Sequence, residues 1–114
     1  MIILGKSGML ASMMAKVMPE AEVLGRPEFD AETPNTQFED RVINCIGLIK
    51  PYCGDIERAI QVNAVFPHSL PDGSIQIATD CVYSGKSGRY VETDIHDAED
   101  AYGKTKSLGE APHL

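Results

Sequence analysis

Tyr102 and Lys106 are the residues of this chain whose types and spacing most clearly point to chemistry. Residues four apart on a helix share one face, so we expect the phenol and the ammonium group to stand side by side. An ammonium group fixed beside a phenol favours the phenolate and improves acid–base catalysis at neutral pH. The hydroxyl of Thr79, predicted to end a preceding strand, could then hold the substrate oxygen. The alternative interpretation is a solvated helix that carries one aromatic residue and two lysines.

The N-terminal segment has the pattern of a dinucleotide-binding turn. Residues 1–4 form an apolar run of strand length, the segment Gly-Lys-Ser-Gly-Met-Leu-Ala follows at 5–11, and residues 11–18 are predicted to be helical. One glycine would permit the tight turn, the second would let the backbone approach a pyrophosphate, and N–H groups at the helix start would face the phosphates. A glycine turn with a purely structural role is the alternative. We predict cofactor contacts from Gly5, Ser7, Gly8, Met9 and Leu10.

Taken together, these features resemble the extended short-chain dehydrogenase/reductase superfamily, and within it the sugar-nucleotide branch that contains dTDP-4-dehydrorhamnose reductase. The resemblance implies that Thr79 is the Ser/Thr of the catalytic trio and that Tyr102 is the acid–base residue. It also implies that Lys106 is the partner of Tyr102 and binds the nicotinamide ribose, so that Tyr102 and Lys106 also belong to the cofactor site. The matching segments are residues 2–11, 25–30, 42–47, 62–64, 78–83 and 102–110, which cover most of the chain in the family's order.

Further cofactor contacts follow the next two predicted strands. Arg26 lies where NAD-selective proteins usually place an acidic residue, and its guanidinium would suit the 2′-phosphate of NADP. NADP is therefore the expected cofactor, with NAD and a plain surface arginine as the alternatives, and Asp30 is expected near the adenine. The resemblance implies that Cys45, Ile46 and Gly47 line the ribose and phosphate side, although Gly47 could simply end a strand. Asn63 is predicted to support the cofactor site or Lys106, with a helix-surface amide as the alternative.

The order of predicted elements indicates an α/β fold, a Rossmann-like parallel sheet with helices on both faces. Strands are predicted at residues 1–4, 22–24, 42–46 and 74–79, and helices at 11–18, at 56–66 after a cap at Asp55, and around Tyr102. Polar segments at 27–40 and 83–97 are predicted to connect them. Family members continue into a C-terminal substrate-binding domain, so this single domain, residues 1–114, is expected to be a truncated form or a natural miniature.

Composition excludes several classes of protein. A formal net charge of -7 argues against a nucleic acid polymer or an anionic membrane as the partner. Neither a membrane-spanning run nor a signal peptide is visible, so the expected compartment is the cytoplasm. Three cysteines without zinc-type spacing are expected to be reduced, with Cys45 and Cys81 buried in strands, and no metal site is predicted.

We expect NAD(P)H-dependent reduction of a keto group on a nucleotide-activated sugar, with the nucleotide-sugar as the partner. An epimerase or dehydratase of the same superfamily would use similar residues. The alternative from another class is a non-catalytic module that binds the dinucleotide. Formation of a homo-oligomer is compatible with the sequence.

Overall fold

The computed structural model describes all residues from 1 to 114, and its centre is a parallel sheet of four short strands. The strands are β1 (Ile2–Leu4), β2 (Glu22–Leu24), β3 (Val42–Asn44) and β4 (Ile75–Gln76). They lie in the order β2-β1-β3-β4, with Ile3 opposite both Val23 and Ile43 in the register. The predicted Rossmann-like parallel sheet is therefore confirmed.

Helices cover both faces of the sheet, as predicted. The helix α1 (Met9–Val17) follows β1, and the helix α2 (Ile56–Ala59) begins at the predicted cap, where the Asp55 carboxylate accepts a hydrogen bond from Arg58 N. The chain continues directly as a π-helix at Ile60–Val65 and then as a 3-10 helix at Phe66–Ser69. The last helix is α3 (Ala101–Leu108), and short 3-10 turns lie at Lys50–Tyr52 and Asp80–Val82.

Side-chain alternation along the strands explains the two covered faces. Ile3 and Ile43 point to one face and form a small core with Ala11 of α1. Leu4 and Val42 belong to a larger core on the other face of the sheet. The helical segment after β3 contributes further side chains to this core. Leu4, Phe29, Val42, Ala59, Val62, Phe66 and Leu70 are among its members.

The predicted fourth strand at 74–79 is too long, because β4 ends at Gln76. Its partner β3 also ends early, at Asn44, where the side-chain Oδ1 accepts a hydrogen bond from Ile46 N and turns the chain. Thr79 therefore lies beyond the strand in extended conformation and caps the following 3-10 turn. The predicted first helix, by contrast, starts too late, because α1 begins at Met9, two residues before the predicted start.

The expected burial of the cysteines is partly wrong. Cys53 is the fully buried one, Cys45 is half-buried and Cys81 is exposed, and all three are free thiols. Cys81 is exposed because it belongs to the 3-10 turn after the sheet and not to a strand. No group of three or more His, Cys, Asp or Glu side chains is arranged to bind a metal ion. No helix has the length and apolar character needed to cross a membrane.

Candidate functional site

A cleft opens at the carboxyl ends of β1, β2 and β3. The chain leaves β1 to form β2 on one side and later returns to form β3 on the other side, so this edge is the switch point of the sheet. Ligands of open α/β sheets bind in the crevice at such a point. The cavity has a volume of about 270 Å³, and its lining consists of Gly5, Ser7, Gly8, Gly25, Arg26, Phe29, Glu32, Cys45, Ile46, Gly47, Leu48, Arg58 and Val62.

Two glycines of the first turn make close backbone contacts on the floor of the cleft. Gly5 has a φ of +104°, and a Cβ at this position would lie 3.3 Å from the carbonyl carbon of Cys45. A Cβ on Gly8 would lie 3.2 Å from the carbonyl oxygen of Gly5. The turn also connects to β2, because Gly5 N donates to Leu24 O at 2.8 Å. The backbone of this turn therefore faces the cleft directly, as the glycine spacing predicts.

Two buried asparagines hold the loop that follows β3. Asn44 Nδ2 donates to Gln76 Oε1 at 2.7 Å, while its Oδ1 accepts from Ile46 N at 3.0 Å. Asn63 Oδ1 accepts from Leu48 N at 2.7 Å, and its Nδ2 donates to Leu48 O at 2.9 Å and to Thr105 Oγ1 at 3.1 Å. The alternative of a helix-surface amide for Asn63 is wrong, since the residue is 1% exposed. Asn63 supports the wall of the cleft from behind.

Four charged side chains meet at the β2 end of the cleft. Arg26 Nε lies 2.6 Å from Asp30 Oδ2, and Arg26 Nη2 lies 3.3 Å from Glu32 Oε1. Arg58 of α2 forms an ion pair with the same oxygen of Glu32. The hydrogen bond from Arg26 lowers the pKa of Asp30, and Asp30 in turn raises the pKa of Arg26. No local sequence pattern predicts Glu32 and Arg58 at this site, because Glu32 lies in a polar connection and Arg58 on a helix.

The buried ammonium group of Lys106 lies next to this cleft. Lys106 is 7% exposed, and its Nζ donates to the carbonyl oxygen of Ile77 at 2.6 Å. A Cβ added to Gly47 would lie 3.9 Å from Nζ, so only a glycine separates the ammonium group from the lining. Burial lowers the pKa of Lys106, and the charge of Glu110 acts in the opposite direction. Lys106 is therefore a desolvated cation at the edge of this cleft.

Gly103 and Gly109, for which no structural role was predicted, allow α3 to pack closely against neighbouring backbone. A Cβ on Gly103 would lie 2.2 Å from the carbonyl oxygen of Cys81, and one on Gly109 would lie 2.0 Å from that of Asn63. Such distances are incompatible with a side chain unless the backbone moves. We call this contact region, formed by Gly103 and Gly109 against Cys81 and Asn63, the α3 seat. A glycine inside a predicted helix is the signal that could have revealed it.

Thr79 and Tyr102 are close in sequence to members of the α3 seat, since Thr79 precedes Cys81 by two residues and Tyr102 directly precedes Gly103. Thr79 Oγ1 accepts a hydrogen bond from Cys81 N at 3.2 Å, which leaves its own proton for another acceptor. Its neighbours Ile77 and Cys81 both contact α3, through Lys106 and through the seat. Tyr102 lies in the first turn of α3, is half-buried and packs against the larger core. Of the predicted trio, Thr79 thus lies after β4, and Tyr102 and Lys106 lie on α3.

The structure brings most of the predicted cofactor residues into one cavity, and it places others outside the lining. Met9 and Leu10 are 85% and 43% exposed in the first turn of α1 and are not part of the lining. Asn63 lies behind the wall, and Lys106 lies beside it. Their contacts with a cofactor stay predictions. Those in the lining are Gly5, Ser7, Gly8, Arg26, Cys45, Ile46 and Gly47.

Solved structures that are similar to this chain include two bacterial proteins. A dTDP-4-dehydrorhamnose reductase, the RfbD orthologue of Clostridium acetobutylicum, aligns with a TM-score of 0.74 at 26% sequence identity. RMD from Pseudomonas aeruginosa, in complex with NADPH, aligns with a TM-score of 0.73 at 19% identity, a likeness that concerns the fold alone. Each alignment covers 96% of this chain and 46% of the neighbour.

The likeness is structural, since no protein-family model and no curated protein matches the sequence. The chain spans slightly less than half the length of its two structural neighbours. The predicted resemblance is confirmed: this chain is similar in fold to about half of a dTDP-4-dehydrorhamnose reductase.

Proposed function

We propose that this chain binds NADPH and takes part in the reduction of a keto group on a nucleotide-activated sugar. The observation that carries the proposal is the glycine-lined cleft at the switch point of the sheet, with the buried ammonium group of Lys106 beside Gly47. One structural neighbour is named as a dTDP-4-dehydrorhamnose reductase and the other is described with NADPH bound. Both names agree with the chemistry expected from the residues.

The residues present fit a dinucleotide. Gly5 and Gly8 carry no side chains, so a pyrophosphate could approach the turn and the N–H groups at the start of α1. Arg26, two residues after β2, would bind a 2′-phosphate through its planar fork. Gly47 would let the nicotinamide ribose come close to Lys106, because even a Cβ at this position would lie 3.9 Å from Nζ.

When bound, the nicotinamide would supply the hydride. The chain's own residues would control the proton and the substrate oxygen. Tyr102 would donate its phenolic proton to the keto oxygen, and the Thr79 hydroxyl would donate a hydrogen bond to the same oxygen. Lys106 would stabilise the phenolate left on Tyr102, and its burial strengthens that effect because electrostatic interactions increase in a poorly solvated site.

A second candidate function is binding of the dinucleotide without turnover. It is favoured by one observation, namely that the lining of the cleft includes neither Thr79 nor Tyr102. The cleft, the glycine turn and Arg26 would serve both functions equally. The two differ in whether Tyr102 and Thr79 meet a substrate.

Titration of the purified chain with NADPH and with NADH, followed by nicotinamide fluorescence, tests the common part of both candidates. Addition of dTDP-4-dehydrorhamnose to the saturated protein then tests turnover. Tyr102→Phe is expected to lower turnover by about 10²- to 10⁴-fold, because it removes the transferred proton, and to keep saturable NADPH binding. The matched control is Tyr52→Phe, an exposed tyrosine of the Lys50–Tyr52 turn, which should change neither quantity.

Each outcome decides between the candidates. Saturable NADPH binding with turnover that depends on Tyr102 would support the reductase. Binding without turnover by the wild-type chain would favour the second candidate. If neither dinucleotide binds, both are wrong, and if Tyr102→Phe reduces turnover no more than Tyr52→Phe does, the proton donor is another group.

A further inference from the structure

The charged cluster at the β2 end of the cleft contains two features that favour opposite cofactors. Arg26 suits the 2′-phosphate of NADP, whereas an acidic residue near this position accepts the ribose hydroxyls of NAD. Glu32 is such an acid, and it lines the same cavity as Arg26 and Arg58. The cluster therefore raises a question of cofactor selectivity that Arg26 by itself does not answer.

Glu32 holds both arginines at once. Its Oε1 lies 3.3 Å from Arg26 Nη2 and is also the partner of Arg58 Nε. The two guanidinium groups thus converge on one anionic oxygen from different elements, the end of β2 and the first turn of α2. Guanidinium groups bind carboxylate and phosphate through the same fork geometry, so a phosphate could replace this carboxylate between them.

We propose that the Glu32 carboxylate occupies the place between Arg26 and Arg58 that the 2′-phosphate of a bound dinucleotide would take, and thereby sets the preference between NADPH and NADH. The inference rests on the proposed binding of a dinucleotide in this cleft. It assigns a role in cofactor selectivity to Glu32 and Arg58, in addition to Arg26.

The charges of the cluster explain why Glu32 would act as a competitor. Arg26 and Arg58 carry two positive charges, and Asp30 and Glu32 carry two negative ones, so the cluster is neutral. An incoming phosphate must displace Glu32 from both arginines and then lie close to it. Two like charges in close contact near a protein surface repel each other, so the Glu32 carboxylate should lower the affinity for the phosphate.

Removing the charge of Glu32 should therefore help only ligands that carry the 2′-phosphate. In a fluorescence titration, Glu32→Gln is expected to bind NADPH about tenfold more tightly and to bind NADH unchanged. Arg58→Met should weaken NADPH binding by about tenfold and should also leave NADH binding unchanged. Matched controls at exposed positions outside the cleft, Glu39→Gln and Arg41→Met, should leave the affinities of both cofactors at their wild-type values.

Calorimetric titration with adenosine 2′,5′-bisphosphate and with AMP separates this inference from the reductase proposal, because neither probe contains nicotinamide. Glu32→Gln should tighten the bisphosphate and leave AMP unchanged. Weaker NADH or AMP binding by Glu32→Gln would instead mean that Glu32 accepts ribose hydroxyls, which overturns the inference while leaving the cofactor site intact. Equal effects on both probes, or binding of neither probe by any variant, would also overturn it.

Discussion

The cleft and the α3 seat meet at Asn63, which contacts Leu48 of the lining and Gly109 of the seat, but different contacts hold the two regions together. The cleft is bounded by turns and by charged side chains that are partly open to solvent, such as Arg26 with 60% of its side chain exposed. In the seat, a helix lies directly on the backbone of two other segments, with Gly103 and Gly109 as the points of closest approach. The cleft can therefore adjust its side chains to a ligand, whereas the seat has no freedom to move without displacing α3.

The strongest test of this difference is a methyl group added in the seat. Gly103→Ala should lower the free energy of unfolding by about 3 kcal/mol, because its Cβ would lie 2.2 Å from the carbonyl oxygen of Cys81. This expected loss of stability is the reverse of what intrinsic helix propensity predicts, since helices favour alanine over glycine by about 1 kcal/mol. Chemical denaturation measures the free energy of unfolding. Gly54→Ala is the control, since nothing lies within 4 Å of the added Cβ; equal stability of both variants would mean that α3 shifts freely.

A smaller effect is expected for the corresponding change in the cleft. Gly5→Ala should lower the free energy of unfolding by about 2 kcal/mol, from the strain of a φ of +104° and from a contact of 3.3 Å with Cys45. It should also weaken NADPH binding, because the turn would move. Gly85→Ala provides the control: φ is +84° with nothing within 4 Å, so it carries the strain without the contact. If both variants lose the same stability and bind NADPH alike, the approach to Cys45 has no role.

The smallest effect concerns Asp100, which links the start of α3 to the chain after β3. Its Oδ1 accepts from Gly103 N at 2.8 Å and caps α3, while its Oδ2 lies 2.7 Å from Lys50 Nζ on the loop after β3. Asp100→Ala should cost about 1 kcal/mol through loss of the cap. Asp100→Asn keeps an acceptor and loses the charge, so we expect a cost of only a few tenths of a kcal/mol.

The stability difference between wild type and Asp100→Asn should depend on pH, because the pKa of Asp100 is lowered in the folded chain. The hydrogen bond from Lys50 is the main cause that lowers the pKa of Asp100 below 3.8. A lowered pKa means that the folded chain binds fewer protons, so the charge stabilises the fold above pH 3.8 and this contribution is lost as the pH falls through the folded pKa. Unfolding curves of wild type and Asp100→Asn should therefore converge in acid. A gap that is constant from neutral pH into acid would contradict the assignment.

Much of the architecture could be predicted from local patterns. Short apolar runs located β1, β2 and β3, the Asp55 cap located the start of α2, and the glycine spacing located the turn at Gly5 and Gly8. These features depend on neighbouring residues along the chain, so sequence carries them. The end of β4 was missed because it depends on Asn44, a residue of the adjacent strand, whose side chain turns β3 away.

The sequence by itself determined the fold class, the glycine turn and the identity of the residues that could carry chemistry, because strand alternation, turn conformation and helical spacing are local properties. Only the tertiary structure decided how those residues are supported. It placed Glu32 and Arg58 in the cleft, Asn63 behind its wall, and Gly103 at the point where α3 touches another segment. Each of these positions joins residues far apart along the chain, and the contact exists only once the sheet and helices have packed together.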